Sequence, residues 1–203
     1  MYPLFETIRY INGVPENLVF HQQRVDYTLK QLGSNTSIVL ADHINAHPDK
    51  PNLDNKVYKC RFKYDLIGNV LIQFEHYFIK KIDSIAIHDI GLNTYPYKYT
   101  DRNWLNEVVA NAGADEVIFT QNGYIKDASY ANLVFFDGVH WVTPSQPLLM
   151  GTRRAALLKA GVIIEAPIQI KELNSFVDFK LINAMMLWEE SILFQIEKIK
   201  GQF

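Results

Sequence analysis

TYPYKYTDRNWLNEV, residues 94–108, interrupts the hydrophobic periodicity of the chain and sets a lysine between two tyrosines. Lys98 follows Tyr97 and precedes Tyr99, and the first turn of a predicted helix comes soon after. A lysine in a loop is usually exposed to solvent. A lysine enclosed by aromatic rings would instead lose hydration, which lowers its pKa and leaves an amine able to form a Schiff base. The sequence leaves both interpretations of Lys98 open.

Residues 91–97 are also predicted to connect two lobes. Gly91, Asn93 and Pro96 break regular structure in this stretch, as interdomain linkers do. The length of 203 residues suits two lobes that each bury a core. We therefore expect an N-terminal α/β lobe over residues 1–90, the linker over 91–97 and a C-terminal lobe over 98–203.

Composition and charge exclude several classes of protein. The net charge is −2 and the longest basic runs are pairs, so nothing indicates a nucleic-acid partner. No apolar run approaches the ~18 residues that a membrane span requires, and MYPLFETIRY lacks the regions of a signal peptide. Cys60 is the one cysteine, which precludes an internal disulfide and favours a reducing compartment. We therefore expect a cytoplasmic protein with neither a membrane nor a nucleic-acid partner.

The elements predicted from hydrophobic patterns mix strands and helices without strict alternation. LFETIRYI and VPENLVF flank Asn12-Gly13 and predict a β-hairpin, and HQQRVDYTLKQLG predicts a helix. After residue 115 a series of strands is expected, with Asp127 just before the strand ANLVFFDG, and GTRRAALLKAG predicts a helix. The fold class is therefore α/β in the broad sense, a mixed α+β arrangement in two lobes.

Three further residues could bind an anionic or heterocyclic ligand, and each also has a purely structural interpretation. Arg24 is a fork-shaped cation suited to phosphate, or a surface arginine. Thr152 follows Gly151 at a helix start whose N–H groups could bind an anion, although many helices begin this way. Asp127 is a turn-forming aspartate, or a buried carboxylate that keeps a ring nitrogen protonated. Together with Lys98, these residues would suit a ligand that has a phosphate, an aldehyde and a basic ring nitrogen. Pyridoxal 5′-phosphate (PLP) has all three groups.

Five segments of the chain occur in an order that is shared with a known family. They are FETIRYINGVPENLVFHQQR, YKYTDRNWLNEV, GYIKDASYANLVFFDG, PLLMGTRRAALLKAG and INAMM. In this order they resemble the class IV aminotransferases, the fold-type IV PLP-dependent enzymes, over nearly the whole chain. The resemblance implies a two-lobed fold with the cofactor between the lobes. The family includes branched-chain and D-amino-acid aminotransferases and aminodeoxychorismate lyase, and INAMM looks closer to the lyase branch.

The resemblance implies a role for each matching residue. Lys98 matches the lysine that carries PLP as an internal Schiff base, and Arg102 stands four residues later, as in lyase-like members. Arg24 matches the arginine that binds the phosphate. Asp127, five residues before Asn132, occupies the position where the family usually has a glutamate against the pyridine nitrogen. Further cofactor contacts are implied for Thr152, Arg153 and Ala184.

The resemblance also implies a reaction on an amino-acid-type substrate. The substrate would displace Lys98, which then removes the α-proton as general base. Either amino-group transfer or elimination to pyruvate and an aromatic amine could follow. Arg9 and Arg61 are candidates for binding the substrate, or solvated strand residues, and Tyr97 could line the entrance or pack the lobes. Family members are homodimers, and the histidines lack the spacing of a metal site, so no metal is expected.

Two other functions are compatible with the sequence. A catalytically degenerate member of the same fold would bind PLP or act as a scaffold without transforming amino acids. A phosphate-sugar or nucleotide binder would use the helix start in GTRR and would have no reactive lysine at position 98.

Overall fold

Residues 2–200 are described by a computed structural model, and they divide into two compact units. The first unit extends to Ile79 and takes in Tyr97–Asp101. The second unit holds Lys80–Pro96 and continues from Arg102. The outer ends of the two predicted lobes, residue 1 and residues 201–203, lie outside the described residues.

The first unit is a four-stranded antiparallel sheet that shares a core with two helices. Its elements are β1 (Leu4–Ile11), β2 (Val14–Pro15), α1 (Leu18–Gln31), α2 (Leu40–Ala46), β3 (Tyr58–Tyr64) and β4 (Val70–His76), and the strand order is β2-β1-β3-β4. Leu4 and Ile8, on one face of β1, join the apolar residues of α1 and α2 in this core. Because side chains alternate along a strand, Phe5, Thr7 and Arg9 point to the opposite face.

The second unit contains two sheets and two α-helices within the described residues. Its elements are β5 (Ile85–Asp89), α3 (Asn103–Asn111), β6 (Glu116–Gln121), β7 (Tyr124–Ala128), β8 (Asn132–Phe136), β9 (Trp141–Pro144), α4 (Thr152–Lys159), β10 (Ile164–Ala166), β11 (Asp178–Ile182), β12 (Leu193–Gln195) and β13 (Ile199–Lys200). One sheet has the order β13-β5-β6-β7 and the other β10-β9-β8-β11-β12. Residues of both sheets, among them Ile118, Leu133 and Phe179, share one core. Leu157 of α4 packs with Val134 in a smaller cluster.

The division between the units differs from the predicted boundaries. Residues 80–96 belong to the second unit, where β5 pairs with β6 in parallel register. The segment Tyr97–Asp101 belongs to the first unit because it runs beside the start of β1. Leu4 and Tyr99 form an isolated β-bridge, and the N–H of Phe5 donates to the carbonyl of Lys98. Lys98 is therefore grouped with the first unit and not with the lobe predicted over residues 98–203.

The predicted hairpin at Asn12-Gly13 is correct at its turn and wrong in its second strand. Both turn residues have positive φ, 49° and 78°, as this type of hairpin requires. The returning strand is limited to Val14–Pro15, because Asn17 adopts a left-handed φ of 58° and α1 begins at Leu18. The segment VPENLVF therefore contributes mainly a helix start.

The sequence predicts that Asp127 lies just before a strand. In the structure Asp127 lies inside the strand β7. The strand β7 was missed because its residues Lys126 and Asp127 are charged, yet both are buried. Apolar alternation, which identifies most strands, does not identify a strand whose polar residues face the interior.

Two features are absent from residues 2–200. None of the helices there combines the length and the apolar character needed to cross a membrane. The same residues contain no group of three or more His, Cys, Asp or Glu side chains that could hold a metal ion.

Candidate active site

Lys98 is fixed on the first unit by backbone pairing, and its side chain lies against an aromatic ring. The Lys98 carbonyl accepts a hydrogen bond from the N–H of Phe5 at 3.0 Å, and Nζ lies 4.8 Å from the centre of the Phe5 ring. Tyr97 and Tyr99 contact each other edge to face and pack against the core of the first unit. Neighbouring residues of an extended segment point to opposite sides, so the tyrosines anchor the segment while Lys98, only partly exposed, projects away from that core.

Of the two arginines predicted to bind substrate, one is held in an ion pair. Arg9 is 4% exposed, and its Nε lies 3.0 Å from Oε2 of Glu16. Arg61, on β3, has its guanidinium carbon 5.0 Å from the centre of the Phe5 ring, the same ring that lies against Lys98. Its Nε is buried and makes no hydrogen bond within residues 2–200. Arg61 thus differs from Arg9 in making no ion pair within the described residues.

Arg24 is bound by the buried carboxylate of Glu6, which is not among the predicted site residues. Oε1 of Glu6 accepts a hydrogen bond from Arg24 Nε at 2.8 Å, and Oε2 accepts one from Arg24 Nη2 at 2.5 Å. His21, on the same helix, contacts the same Oε2 through Nδ1 at 2.6 Å. A bidentate pair fixes the plane of a guanidinium as well as its position. Arg24 is therefore held rigidly, with a side chain that is 10% exposed.

Burial and Arg24 together set the charges of this cluster. Burial alone would raise the pKa of Glu6, but the charge of Arg24 and the hydrogen bond from His21 outweigh it and lower that pKa to about 2. Burial lowers the pKa of His21, and the positive charges of Arg24 and Lys98 act in the same direction against the attraction of Glu6. At neutral pH we therefore infer an ionised Glu6 and a neutral His21 whose Nδ1–H donates to it.

Asp127 is a buried carboxylate whose two oxygens are both hydrogen-bonded. Oδ1 accepts from Nδ2 of Asn132 at 2.7 Å, and Oδ2 accepts from the N–H of Leu149 at 2.9 Å. Asp127 is 4% exposed, which excludes the interpretation of a solvated turn residue. Burial raises its pKa to about 6, although both hydrogen bonds favour the charged form. The group is therefore mostly ionised at pH 7 and gains a proton in mild acid.

The start of α4 consists of a glycine followed by two residues that are wholly or partly buried. α4 begins at Thr152, which is 3% exposed, and Gly151 precedes it. Arg153, in the same first turn, is partly buried. The first N–H groups of a helix have no acceptor within the helix, and the dipole favours an anion there. This end of α4 therefore has the chemistry of an anion site.

Ala184 lies in the turn that follows β11. The turn is closed by Asn183, whose Oδ1 accepts a hydrogen bond from the N–H of Met185 at 2.8 Å. Ala184 itself is partly buried. Because its side chain is a single methyl group, Ala184 adds little bulk beside the backbone of this turn.

Arg102 acts on the loop that follows Asp127. Its Nη2 donates to the carbonyl of Ser129, while the N–H of Ser129 donates to Oε1 of the buried Glu116 at 3.0 Å. The two side chains thus bind the carbonyl and the N–H of the same residue, Ser129. Arg102 therefore stabilises the connection between β7 and β8.

Within each unit the structure groups some of the predicted residues and adds others. In the first unit Lys98 and Arg61 share the Phe5 ring, and Arg24 is held by Glu6. In the second unit Asp127 is joined through Leu149 to the segment that leads into α4. A signal for Glu6 exists in the sequence, because it stands between Leu4 and Ile8 on the apolar face of a strand, where a carboxylate needs a partner.

Comparisons with known proteins show which family the chain belongs to. A profile of the family described as Amino-transferase class IV matches residues 97–189. An uncharacterised protein of Haemophilus influenzae is 34% identical over 188 residues, which span 91% of this chain and 98% of that protein. The chain belongs to the class IV aminotransferase family, as the resemblance predicted.

Solved structures share the fold. A candidate 4-amino-4-deoxychorismate lyase from Haemophilus somnus is 29% identical, with a TM-score of 0.79 over 91% of this chain and 97% of that one. A hypothetical aminotransferase from Mycobacterium tuberculosis, in its PLP-bound form, is 16% identical, with a TM-score of 0.76 over 98% of this chain and 81% of that one. The predicted fold class, mixed α/β of fold type IV, is confirmed.

Proposed function

We propose that the protein is a PLP-dependent enzyme acting on an amino-acid-type substrate, and that Lys98 binds the cofactor covalently. The observation that carries the proposal is the setting of Lys98, whose backbone is paired with β1 and whose amine lies against Phe5 in a partly buried position. Membership of the class IV aminotransferase family supports it, since the structure of a protein of this fold has been solved in a PLP-bound form.

The polar groups of the chain fit the chemistry of PLP. Lys98 offers an amine for the aldehyde, and Arg24 offers a guanidinium whose plane Glu6 fixes, suited to the phosphate. Asp127 offers a buried carboxylate for the ring nitrogen. The start of α4 offers N–H groups for the phosphate. The remaining proposed contacts are with Thr152, Arg153 and the turn at Ala184.

In the proposed mechanism the residues of the chain move one proton and hold another. PLP, when bound, withdraws electrons from the α-carbon of the substrate. Lys98 Nζ takes the α-proton as general base, a contribution typically worth ~10²–10⁴-fold in rate. The negative charge of Asp127 keeps the ring nitrogen protonated. The Phe5 ring, 3% exposed, shields one side of the amine from water.

Asp127 performs this task with a side chain one methylene shorter than the glutamate usual in the family. Asn132 and the N–H of Leu149 each bond the charged carboxylate, and these bonds oppose the effect of burial. We propose that this support keeps Asp127 ionised at neutral pH.

Elimination to pyruvate and an aromatic amine is the reaction we favour, with amino-group transfer as the alternative. The segment INAMM and the 29% identity to a candidate aminodeoxychorismate lyase support elimination. Arg61 is the proposed ligand of a substrate carboxylate. Tyr97 is assigned to packing, because its ring lies against Tyr99 and the core of the first unit. As in the family, the active protein is proposed to be a homodimer.

A titration of purified protein with PLP, followed by visible absorption, tests the covalent role of Lys98. We expect a bound-cofactor band in the wild type that is lost in Lys98→Ala. Lys63→Ala is the matched control, because Lys63 is a lysine paired with Phe5 in the β1–β3 register, and it should retain the band. A band that persists unchanged in Lys98→Ala refutes the assignment.

Product analysis separates the two reactions. The protein is offered aminodeoxychorismate and, separately, D- and L-amino acids with 2-oxoglutarate. Pyruvate from the first supports elimination, and glutamate from the second supports amino transfer. A protein that binds PLP and yields neither product is a degenerate family member, and the proposed activity is then wrong.

A further inference from the structure

Asn132, at the start of β8, contacts three parts of the second unit with one buried amide. Its Nδ2 donates to Oδ1 of Asp127 at 2.7 Å and to the carbonyl of Leu149 at 3.0 Å. Its Oδ1 lies against Gly151. Asn132 is 6% exposed, so water does not replace these contacts readily. One side chain thus joins β7, the segment before α4 and the start of α4.

Gly151 is required by this amide and not by its own backbone. Its φ of −72° and ψ of 141° are values that any residue adopts. A Cβ at position 151 would lie 1.7 Å from Oδ1 and 2.9 Å from Cγ of Asn132, which no packed structure tolerates. Both partners of Nδ2 are acceptors, so the amide cannot rotate by half a turn to relieve the clash without placing its oxygen against two others.

We propose that Asn132 is a positioning residue that sets the place of the Asp127 carboxylate relative to the start of α4. The inference rests on the proposed function, in which Asp127 serves the ring nitrogen of PLP and α4 its phosphate. Leu149 completes the arrangement, because its N–H bonds the carboxylate and its carbonyl bonds the amide. Asn132, Asp127 and Leu149 form a closed set of hydrogen bonds, and Gly151 lies against the Asn132 amide.

The first test measures the contact without any cofactor. In the PLP-free protein, the ¹³C NMR titration of the Asp127 carboxyl should move to higher pH in Asn132→Ala, because an N–H that bonds the charged form is lost. Asn132→Asp keeps the size of the side chain and places a second carboxylate beside Asp127. The repulsion between the two negative charges should raise the pKa of Asp127 further. Asn69→Ala is the matched control, since Asn69 makes an equally short bond of 2.7 Å to Asp65 on an exposed surface. An Asp127 titration unchanged in both Asn132 variants overturns the inference.

The second test is a double-mutant cycle on PLP binding. Gly151→Ala should weaken PLP binding roughly tenfold to a hundredfold, because the new Cβ displaces a buried hydrogen-bonded amide. In an Asn132→Ala background the new Cβ has room. Gly151→Ala should there change the logarithm of the Kd for PLP by less than about a third as much as in the wild-type background. Equal effects in both backgrounds overturn the inference. Absence of PLP binding in the wild type would instead overturn the proposed function, and the NMR titration would still report on the contact.

Discussion

Glu6 is the residue on which the rigidity of Arg24 depends. Its carboxylate accepts two hydrogen bonds from the guanidinium and one from His21, with no exposure to solvent. A charge in the interior is tolerated only when such partners compensate for lost hydration. The cluster stabilises the first unit only while Glu6 is ionised.

Glu6→Gln should remove a pH-dependent part of the stability. The pKa of Glu6 is lowered from 4.5 to about 2, which corresponds to roughly 3 kcal/mol of stability. Because the pKa is lowered on folding, this stability is present above pH 4.5 and is lost as the pH falls towards 2. Urea unfolding should therefore show a large difference between the wild type and the variant at pH 7 that shrinks below pH 4.5.

Glu75→Gln is the control for this measurement. Glu75 is paired with Lys59 at 2.8 Å, but its side chain is 49% exposed, so its removal should cost less than about 1 kcal/mol. A Glu6→Gln deficit that stays constant down to pH 2 would argue against an ionised Glu6.

Substitutions of Arg61 and Arg9 should affect different properties of the protein, substrate binding for Arg61 and stability for Arg9. Arg61→Met should raise KM roughly tenfold to a hundredfold, with a smaller change in kcat, because a charged hydrogen bond to a substrate carboxylate is lost. Arg9→Met should mainly lower stability, because Arg9 is paired with Glu16. Steady-state kinetics with the active substrate provides the comparison, and a KM unchanged in Arg61→Met would exclude Arg61 from substrate binding.

At the scale of elements, α4 is tied to the sheet beside it. Nη2 of the buried Arg154 donates to the carbonyl of Pro144 at 2.9 Å and to Oε2 of Glu165 at 2.7 Å. These bonds connect the helix to β9 and β10. The proposed phosphate site at the start of α4 is therefore held by the body of the helix as well as by Gly151.

The β6–β7 turn gives a prediction that depends on backbone conformation alone. Gly123 has a φ of 78°, and a Cβ there would meet nothing within 4 Å. Gly123→Ala should cost about 1–2 kcal/mol of unfolding free energy, because the left-handed conformation is strained for alanine. Gly123→Asn should cost less, since asparagine tolerates this conformation. Denaturant unfolding of both variants measures the difference, and equal costs would contradict the explanation.

The sequence predicts turns and apolar strands better than it predicts strands that contain buried polar residues. Asn12-Gly13 forms its predicted turn with positive φ at both residues, because few other residues accept that conformation. Hydrophobic pattern missed β7, where Lys126 and Asp127 are buried. The local sequence does not reveal every partner that makes such burial possible, since Leu149, whose N–H bonds Asp127, lies far from it in the chain.

For the molecule as a whole, the order of the sequence motifs predicts the family. The specific side-chain contacts, by contrast, are seen only in the structure. Lys98, Arg24 and Asp127 were chosen by their positions in those motifs. The position of Glu6 on an apolar strand face indicates that it needs a partner, but the sequence does not identify that partner as Arg24. Nor does the sequence pair Asn132 with Asp127. Sequence spacing also grouped Lys98 with the residues that follow it, whereas strand pairing groups it with β1.

PLP should stabilise the folded chain by mass action. A ligand present at about 100 times its Kd adds about 2.7 kcal/mol of stability if it binds only the folded state. We expect a rise in Tm with PLP that pyridoxal, which lacks the phosphate, reproduces only in part. A Tm that is independent of PLP would contradict cofactor binding.

Borohydride reduction followed by peptide mass mapping identifies the lysine that binds PLP. The protein is incubated with PLP, reduced, digested and mapped, with Lys98→Ala and Lys63→Ala treated in parallel. We expect one stoichiometric phosphopyridoxyl adduct on the peptide that contains Lys98, present in Lys63→Ala and absent from Lys98→Ala. An adduct spread over surface lysines, or a stoichiometric adduct on another lysine, would refute the covalent role of Lys98.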